Sequence, residues 1–232
     1  MDLTPEKIRW ILIYIFVLLV SVALHEFGHA FMANKLGDDT PRRQGRVTLN
    51  PLAHADPIGT FLLPLLGSIY GAATGIGGGF GWGKPVEWSP HRINRRVSMS
   101  TAKILVAIAG PGMNLLLAVL LAFVHVILVT QHFIMPALPG EAPGPSEILA
   151  FAVMTNFVLF FFNLLPVPPL DGGHVAQSFT PRRHEGTFET FARYSPFILL
   201  ALMFVPQMRV VFQWPATFLA EHLYSGLGHL FA

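Results

Sequence analysis

His25-Glu26-Phe27-Gly28-His29 places chemically able side chains at a spacing that brings them together. Two histidines four residues apart lie on one face of a helix, so both imidazoles can reach one metal ion. A glutamate beside the first of them can serve as the base toward an activated water. Two imidazoles leave a metal under-ligated. Asp171 is the only aspartate after Asp56, and it stands in Pro166-Val167-Pro168-Pro169-Leu170-Asp171-Gly172-Gly173. Prolines stop a helix there and glycines permit a tight backbone, so a lone carboxylate is presented where a metal is its obvious partner. Cysteine is absent, so any metal must take His, Asp or Glu.

The elements that must position these residues are membrane helices. Hydrophobic residues make up 53% of the 232 and charged residues 12%, half the usual share. A soluble domain, a disordered chain and a nucleic-acid binder are excluded on that ground, and the net charge of +2 supplies no basic surface for nucleic acid. Four spans are expected: about 8–35, 104–130, 148–165 and 196–212. The stretch 216–231 mixes Glu221, His222 and His229 with apolar residues and reads as a C-terminal interfacial helix. His25 and Glu26 fall inside the first span, where ionisable groups are costly and mark function by default.

The segment 57–83 opens apolar and then carries seven glycines between Gly71 and Gly83, which will not hold a helix. It either crosses or dips in and returns. Re-entry puts 12 of the 15 Lys and Arg on one side, with only Lys7, Arg9 and Arg209 opposite; a crossing gives a 10 to 5 split. The positive-inside rule prefers re-entry, with the first helix entering from outside. Trp10, Trp82, Trp88 and Trp214 sit near the expected boundaries, as an aromatic belt would. Residues 46–49 and 80–88 have strand-like content beside turn residues and suggest a small β-hairpin or sheet on the cytoplasmic side.

Three stretches together carry a family resemblance: His25 to His29 in an early span, Ala109-Gly110-Pro111-Gly112-Met113-Asn114 in a middle span, and Asn163 to Gly172 as N-x-x-P-x-P-x-L-D-G. With Thr48 to Leu52 and the Gly81 to Val86 stretch, the chain resembles the site-2 protease family of intramembrane zinc metalloproteases over about residues 8–180. The resemblance implies one Zn²⁺ held by His25, His29 and Asp171, with Glu26 as general acid/base. It implies that Asn163 helps hold substrate or the developing oxyanion. It implies a single polytopic domain over 1–232 with its core at 8–180, lacking the PDZ and cystathionine-synthase-type domains of larger members. The expected partners are the lipid bilayer and a membrane-protein substrate with a transmembrane helix. The expected place is a bacterial inner membrane, with the site toward the cytoplasm. A metal-ion transporter and a catalytically silent scaffold are the alternatives. The first needs several ligand groups along a pathway, and the second usually loses a ligand or the base. His174 is a further candidate near the site, equally readable as a helix-start residue, while His54 could line the site but reads better as a loop residue. Asn114 in an apolar helix reads as a bridge between helices.

Overall fold

The computed structural model describes residues 4–74, 81–137 and 142–231. Helix α1 runs Pro5–Lys35. Thr4 caps it, its hydroxyl accepting from the Lys7 N–H, and Pro5 fits the first turn, where no N–H is needed. At 1.5 Å per residue its 31 residues span about 46 Å, ample for a bilayer. A short helix α2, Thr40–Arg43, follows. Then come a π-helical turn, Pro57–Leu62, and helix α3, Leu63–Thr74. Helix α4, Met99–Thr130, starts on the Ser98 hydroxyl, which accepts from the Thr101 N–H at 3.1 Å. Helix α5 is Pro145–Asn163, α6 is Asp171–Phe179, α7 is Glu185–Phe204 and α8 is Pro206–Phe231.

Helix α4 is the axis of the molecule. It packs against α1, α5, α6 and α8. The fully buried core is small-residue packing around one ring: Ala118 and Ala122 of α4, Val153 and Phe157 of α5, Ala216 and Ala220 of α8. Alanine lets helix backbones approach where lipid gives no hydrophobic drive to associate. The pairings fix direction. Asn114 of α4 meets Ser21 of α1, and the His29 ring meets the Val106 carbonyl, so α1 and α4 are antiparallel. His125 of α4 bonds Ser146 of α5, and Asn114 bonds Asn156, so α4 and α5 are antiparallel too. The C-terminal end of α1, the start of α4 and the end of α5 therefore share one end of the bundle.

Three of the expected spans are present as α1, α4 and α5, each long and apolar enough to cross a membrane. The fourth is redrawn. The chain bends by 72° where α7 gives way to α8, so 196–212 is not one helix. Nor is 216–231 an interfacial addition: Ala216 and Ala220 are in the core, and Tyr224 donates or accepts with His125 at 2.9 Å. Phe212 packs on Phe162 near the end of α5, so α8 runs antiparallel to α5 along its length. His125 is buried among α4, α5 and α8.

The expected hairpin is also absent: no strand forms among the described residues. The segment 81–88 is extended, but its even-numbered backbone groups are spent elsewhere. Trp82 N donates to Gly59 O at 3.1 Å, Lys84 N to His54 O at 2.8 Å and Val86 N to the Glu26 carboxylate at 3.1 Å. Loop carbonyls and side chains have taken the place of a partner strand. The Trp82–Gly59 bond, with Thr60 Oγ1 donating to Trp82 O at 2.9 Å, also shows that 57–83 ends where it began. Helix α3 is about 18 Å long.

Phe157 is wholly enclosed at the meeting of α4, α5 and α8. Phe157→Ala should cost about 3 kcal/mol or more of stability. The check is the unfolding midpoint of the purified protein in detergent, and an unmoved midpoint would contradict this packing.

Candidate metal centre

The two histidines of α1 and the first residue of α6 converge. His25 Nε2 lies 3.2 Å from Asp171 Oδ2, His29 Nε2 lies 3.3 Å from Asp171 Oδ1, and the two Nε2 atoms are 3.0 Å apart. Asp171 reaches the histidines because the 164–170 turn folds α6 back under the end of α5. Leu170 N bonds Val167 O at 3.0 Å, and a side chain at Gly172 would overlap the Leu164 and Leu165 carbonyls. Close approach is needed on the other side as well. A Cβ at Gly110 of α4 would collide with both imidazoles, and one at Gly28 would lie 2.5 Å from Ala109 O.

Hydrogen bonding decides which way the imidazoles face. His29 Nδ1 is 2.7 Å from the Val106 carbonyl, which can only accept, so this nitrogen carries the proton. His25 Nδ1 donates to Asn114 Oδ1 at 2.8 Å. The assignment follows because Asn114 Nδ2 is occupied, donating to Ser21 O at 3.1 Å and Asn156 Oδ1 at 2.9 Å. Asn156 in turn donates to Ser21 Oγ and Ala152 O. With Nδ1 carrying the proton, each ring in its neutral form turns its Nε2 lone pair toward the carboxylate. Asp171 Oδ2 is buried and receives no hydrogen bond among the described residues. Acceptors so crowded repel unless positive charge sits among them. The donor set, two neutral imidazoles and one carboxylate with their outer nitrogens anchored, fits a divalent metal.

Glu26 is next to the cluster, on the side of the 81–88 segment. One carboxylate oxygen is held by Val86 N–H; the other has no partner among the described residues. A cavity of about 950 Å³ runs past these groups. Val86, Trp88 and Pro85 form one wall, Met154, Val158 and Phe162 of α5 another, and Leu199 and Met203 of α7 a third. Trp82 and Trp88, expected in a belt at the bilayer boundary, face this cavity.

Asn163 and His174 also line it. Asn163 lies on the wall, not among the converging atoms, and one of its amide hydrogens goes to Leu159 O at 2.9 Å. His54 is not part of the wall. It is fully buried in the loop, its Nε2 donating to Thr48 O at 2.9 Å, and burial holds it below its ordinary pKa, hence neutral. Asn114 does bridge helices, as expected, but it also orients a candidate ligand. Ser21 and Asn156 went unmarked in the sequence, and Gly110 was noted only as part of the Ala109 to Asn114 stretch. Their signal was there in part: polar residues in apolar helices, one helical turn or more from the HExxH stretch, and a glycine in a span.

The fold and site are those of a metal-dependent hydrolase set within a membrane helix bundle. The chain matches the model of Peptidase family M50 over residues 13–141 and 133–206. A Bacillus subtilis (strain 168) protein named "Putative zinc metalloprotease YwhC" is 36% identical over 204 residues, 87% of this chain and 84% of its own length. Two named "Putative zinc metalloprotease Rip2" are also similar. The one from Mycolicibacterium smegmatis is 37% identical over 73% of this chain and 59% of its length. The one from Mycobacterium tuberculosis (strain H37Rv) is 34% identical over 66% of this chain and 52% of its length. No solved structure matches. The chain belongs to peptidase family M50, the site-2 protease family, and is an intramembrane metalloendopeptidase with zinc as its metal.

Asn114→Leu removes the acceptor that sets the His25 ring and leaves the helix apolar. Zinc affinity should fall about 10- to 100-fold, as for other losses of an outer hydrogen-bond partner. Titration against a competing chelator checks this; native affinity would mean that the ring needs no anchor.

Proposed function

We propose that the chain hydrolyses a peptide bond in or beside a transmembrane helix of a membrane-protein substrate, as a step of regulated intramembrane proteolysis. The carrying observation is the Glu26 carboxylate, with one oxygen uncommitted, beside a buried His25–His29–Asp171 cluster in a cavity walled by apolar helix residues. His25, His29 and Asp171 are the zinc ligands in this reading. Bound zinc supplies a Lewis acid that acidifies water and polarises the scissile carbonyl. Glu26 accepts the proton of the attacking water and delivers it to the leaving amine. Asn163, from the opposite wall, donates its remaining amide hydrogen to the oxygen that gains charge.

A helical substrate hides its carbonyls in i to i−4 bonds and must be drawn out to be cut. The 81–88 segment supports a way to hold it extended. Its inner edge is spent on Gly59, His54 and Glu26, while the backbone groups of Gly83 and Glu87 have no partner among the described residues. A substrate strand adds to that outer edge, along the cavity.

The bundle ends support an orientation. With 57–83 re-entrant, the loops 36–98 and 164–184 share the side of the metal ligands, and that side is the cytoplasmic face of a bacterial inner membrane. Arg209, three residues before Phe212, joins the basic residues at this end, leaving only Lys7 and Arg9 opposite. The 232 residues act as one protease domain. The transporter alternative gains no support, since a single ligand cluster occurs among the described residues.

Two experiments test the reading. Glu26→Gln should keep zinc and accumulate uncut membrane proteins in cells; full cleavage by that variant would sink it. Because the chain has no cysteine, single substitutions report topology. Glu87→Cys should react with an impermeant maleimide only from the cytoplasm and Gln131→Cys only from outside, and labelling from the same side would refute the orientation.

A further inference from the structure

Arg46 is a buried cation with no carboxylate in salt-bridge contact among the described residues. It is 5% exposed, and its guanidinium donates to three backbone carbonyls: Ala53 O, Lys84 O and, at 3.2 Å, Pro85 O. Burying a guanidinium is costly, and the fork geometry of five N–H groups is what lets it join carbonyls from two separate segments. Its own backbone is fixed too, Arg46 N donating to Pro41 O at 2.8 Å. The carbonyls it grips at Lys84 and Pro85 immediately precede Val86, whose N–H holds the Glu26 carboxylate. On the other side of the grip, His54 O accepts from Lys84 N, so the loop around 46–54 clasps this one stretch by side chain and by backbone.

We propose that Arg46 is a positioning residue for cleavage: through the 84–86 backbone it sets the Val86 N–H that orients Glu26, and the cavity wall against which substrate lies. The inference rests on the reading of Glu26 as the catalytic base. Arg46 touches neither the metal ligands nor the cavity; it acts through that backbone and, at longer range, through the attraction of its charge for Glu26. Without it, Lys84 and Pro85 lose the donors that pin their carbonyls, the Val86 N–H shifts, and the Glu26 carboxylate rotates away from its working position. A displacement of about 1 Å at a reacting group can cost about 100-fold in rate. The other ties of the region are retained. Asp38 accepts from Ser89 N, and Asp39 pairs with Arg43 and Arg92, so the chain beyond residue 88 stays docked on the end of α1.

The test uses the full chain in detergent with zinc bound and a fluorophore–quencher peptide built as a single-span helix. Arg46→Met should retain zinc stoichiometry and lower kcat about 100-fold. Arg46→Lys, which keeps the charge but not the fork, should lose less and remain folded. Val86→Pro deletes the N–H that holds Glu26 without touching Arg46. It should lower kcat as Arg46→Met does, and the double variant should lose no more than either single one. Amide exchange over 84–88 should quicken in Arg46→Met and Arg46→Lys, a readout that needs no substrate. Native kcat in Arg46→Met, fully multiplicative losses in the double variant, or unchanged exchange would overturn the proposal. If Arg46→Met fails to fold, Arg46→Lys and Val86→Pro decide it by the same criteria. Failure here with Glu26→Gln still inactive leaves the protease reading standing; cleavage by Glu26→Gln removes both.

Discussion

The structure turns on two N–H groups. The Nδ1 protons of His25 and His29 are each committed to an acceptor on α4, and this leaves both Nε2 lone pairs aimed at the Asp171 carboxylate. Much of the bundle serves that commitment. Asn114 can accept from His25 only because Ser21 and Asn156 take its own hydrogens, which ties α1, α4 and α5 at one level. Gly28 and Gly110 remove the side chains that would hold α1 and α4 apart. In hydrocarbon such a polar chain must be complete, since a group left out finds no water to replace its partner.

A second level of organisation lies in the loop between α2 and α4. Its described backbone outside α3 is largely irregular, and such backbone needs protein groups to cover its polar atoms. Arg46, Asp38 and the His54 carbonyl supply that cover, and one product of their bonds is the amide that meets Glu26. The candidate metal ligands and the candidate base are thus held by different parts of the chain, the first by helix–helix contact and the second by a loop.

The reactive residues were legible because charge is scarce. His25, Glu26, His29 and Asp171 stand out in spans and turns of apolar residues, and their spacing declares a helix face. Three spans followed from length and hydropathy alone. The α7–α8 bend did not, because Pro196, Pro206 and Pro215 all lie near it and local pattern does not choose among them. The course of α8 was misread because its polar residues, His222 and Glu221, mask Ala216 and Ala220, whose role is set by partners far away in sequence. The 81–88 segment has the residue types of a strand. What denies it one is a set of distant partners, an arginine 38 residues before it and a glutamate 60 before it, that no local pattern announces.

Asp171 comes from a different part of the chain than the two histidines, and this has a thermodynamic consequence. His25 and His29 belong to the first helix, whereas Asp171 opens α6, with α4 and α5 between them in sequence. An ion shared by the three sites is a clasp between the ends of the fold. Only the folded chain brings the ligands together, so each tenfold rise in free metal above its dissociation constant adds about 1.4 kcal/mol to stability. With these three as ligands, resistance to unfolding is linked to the metal supply of the cell.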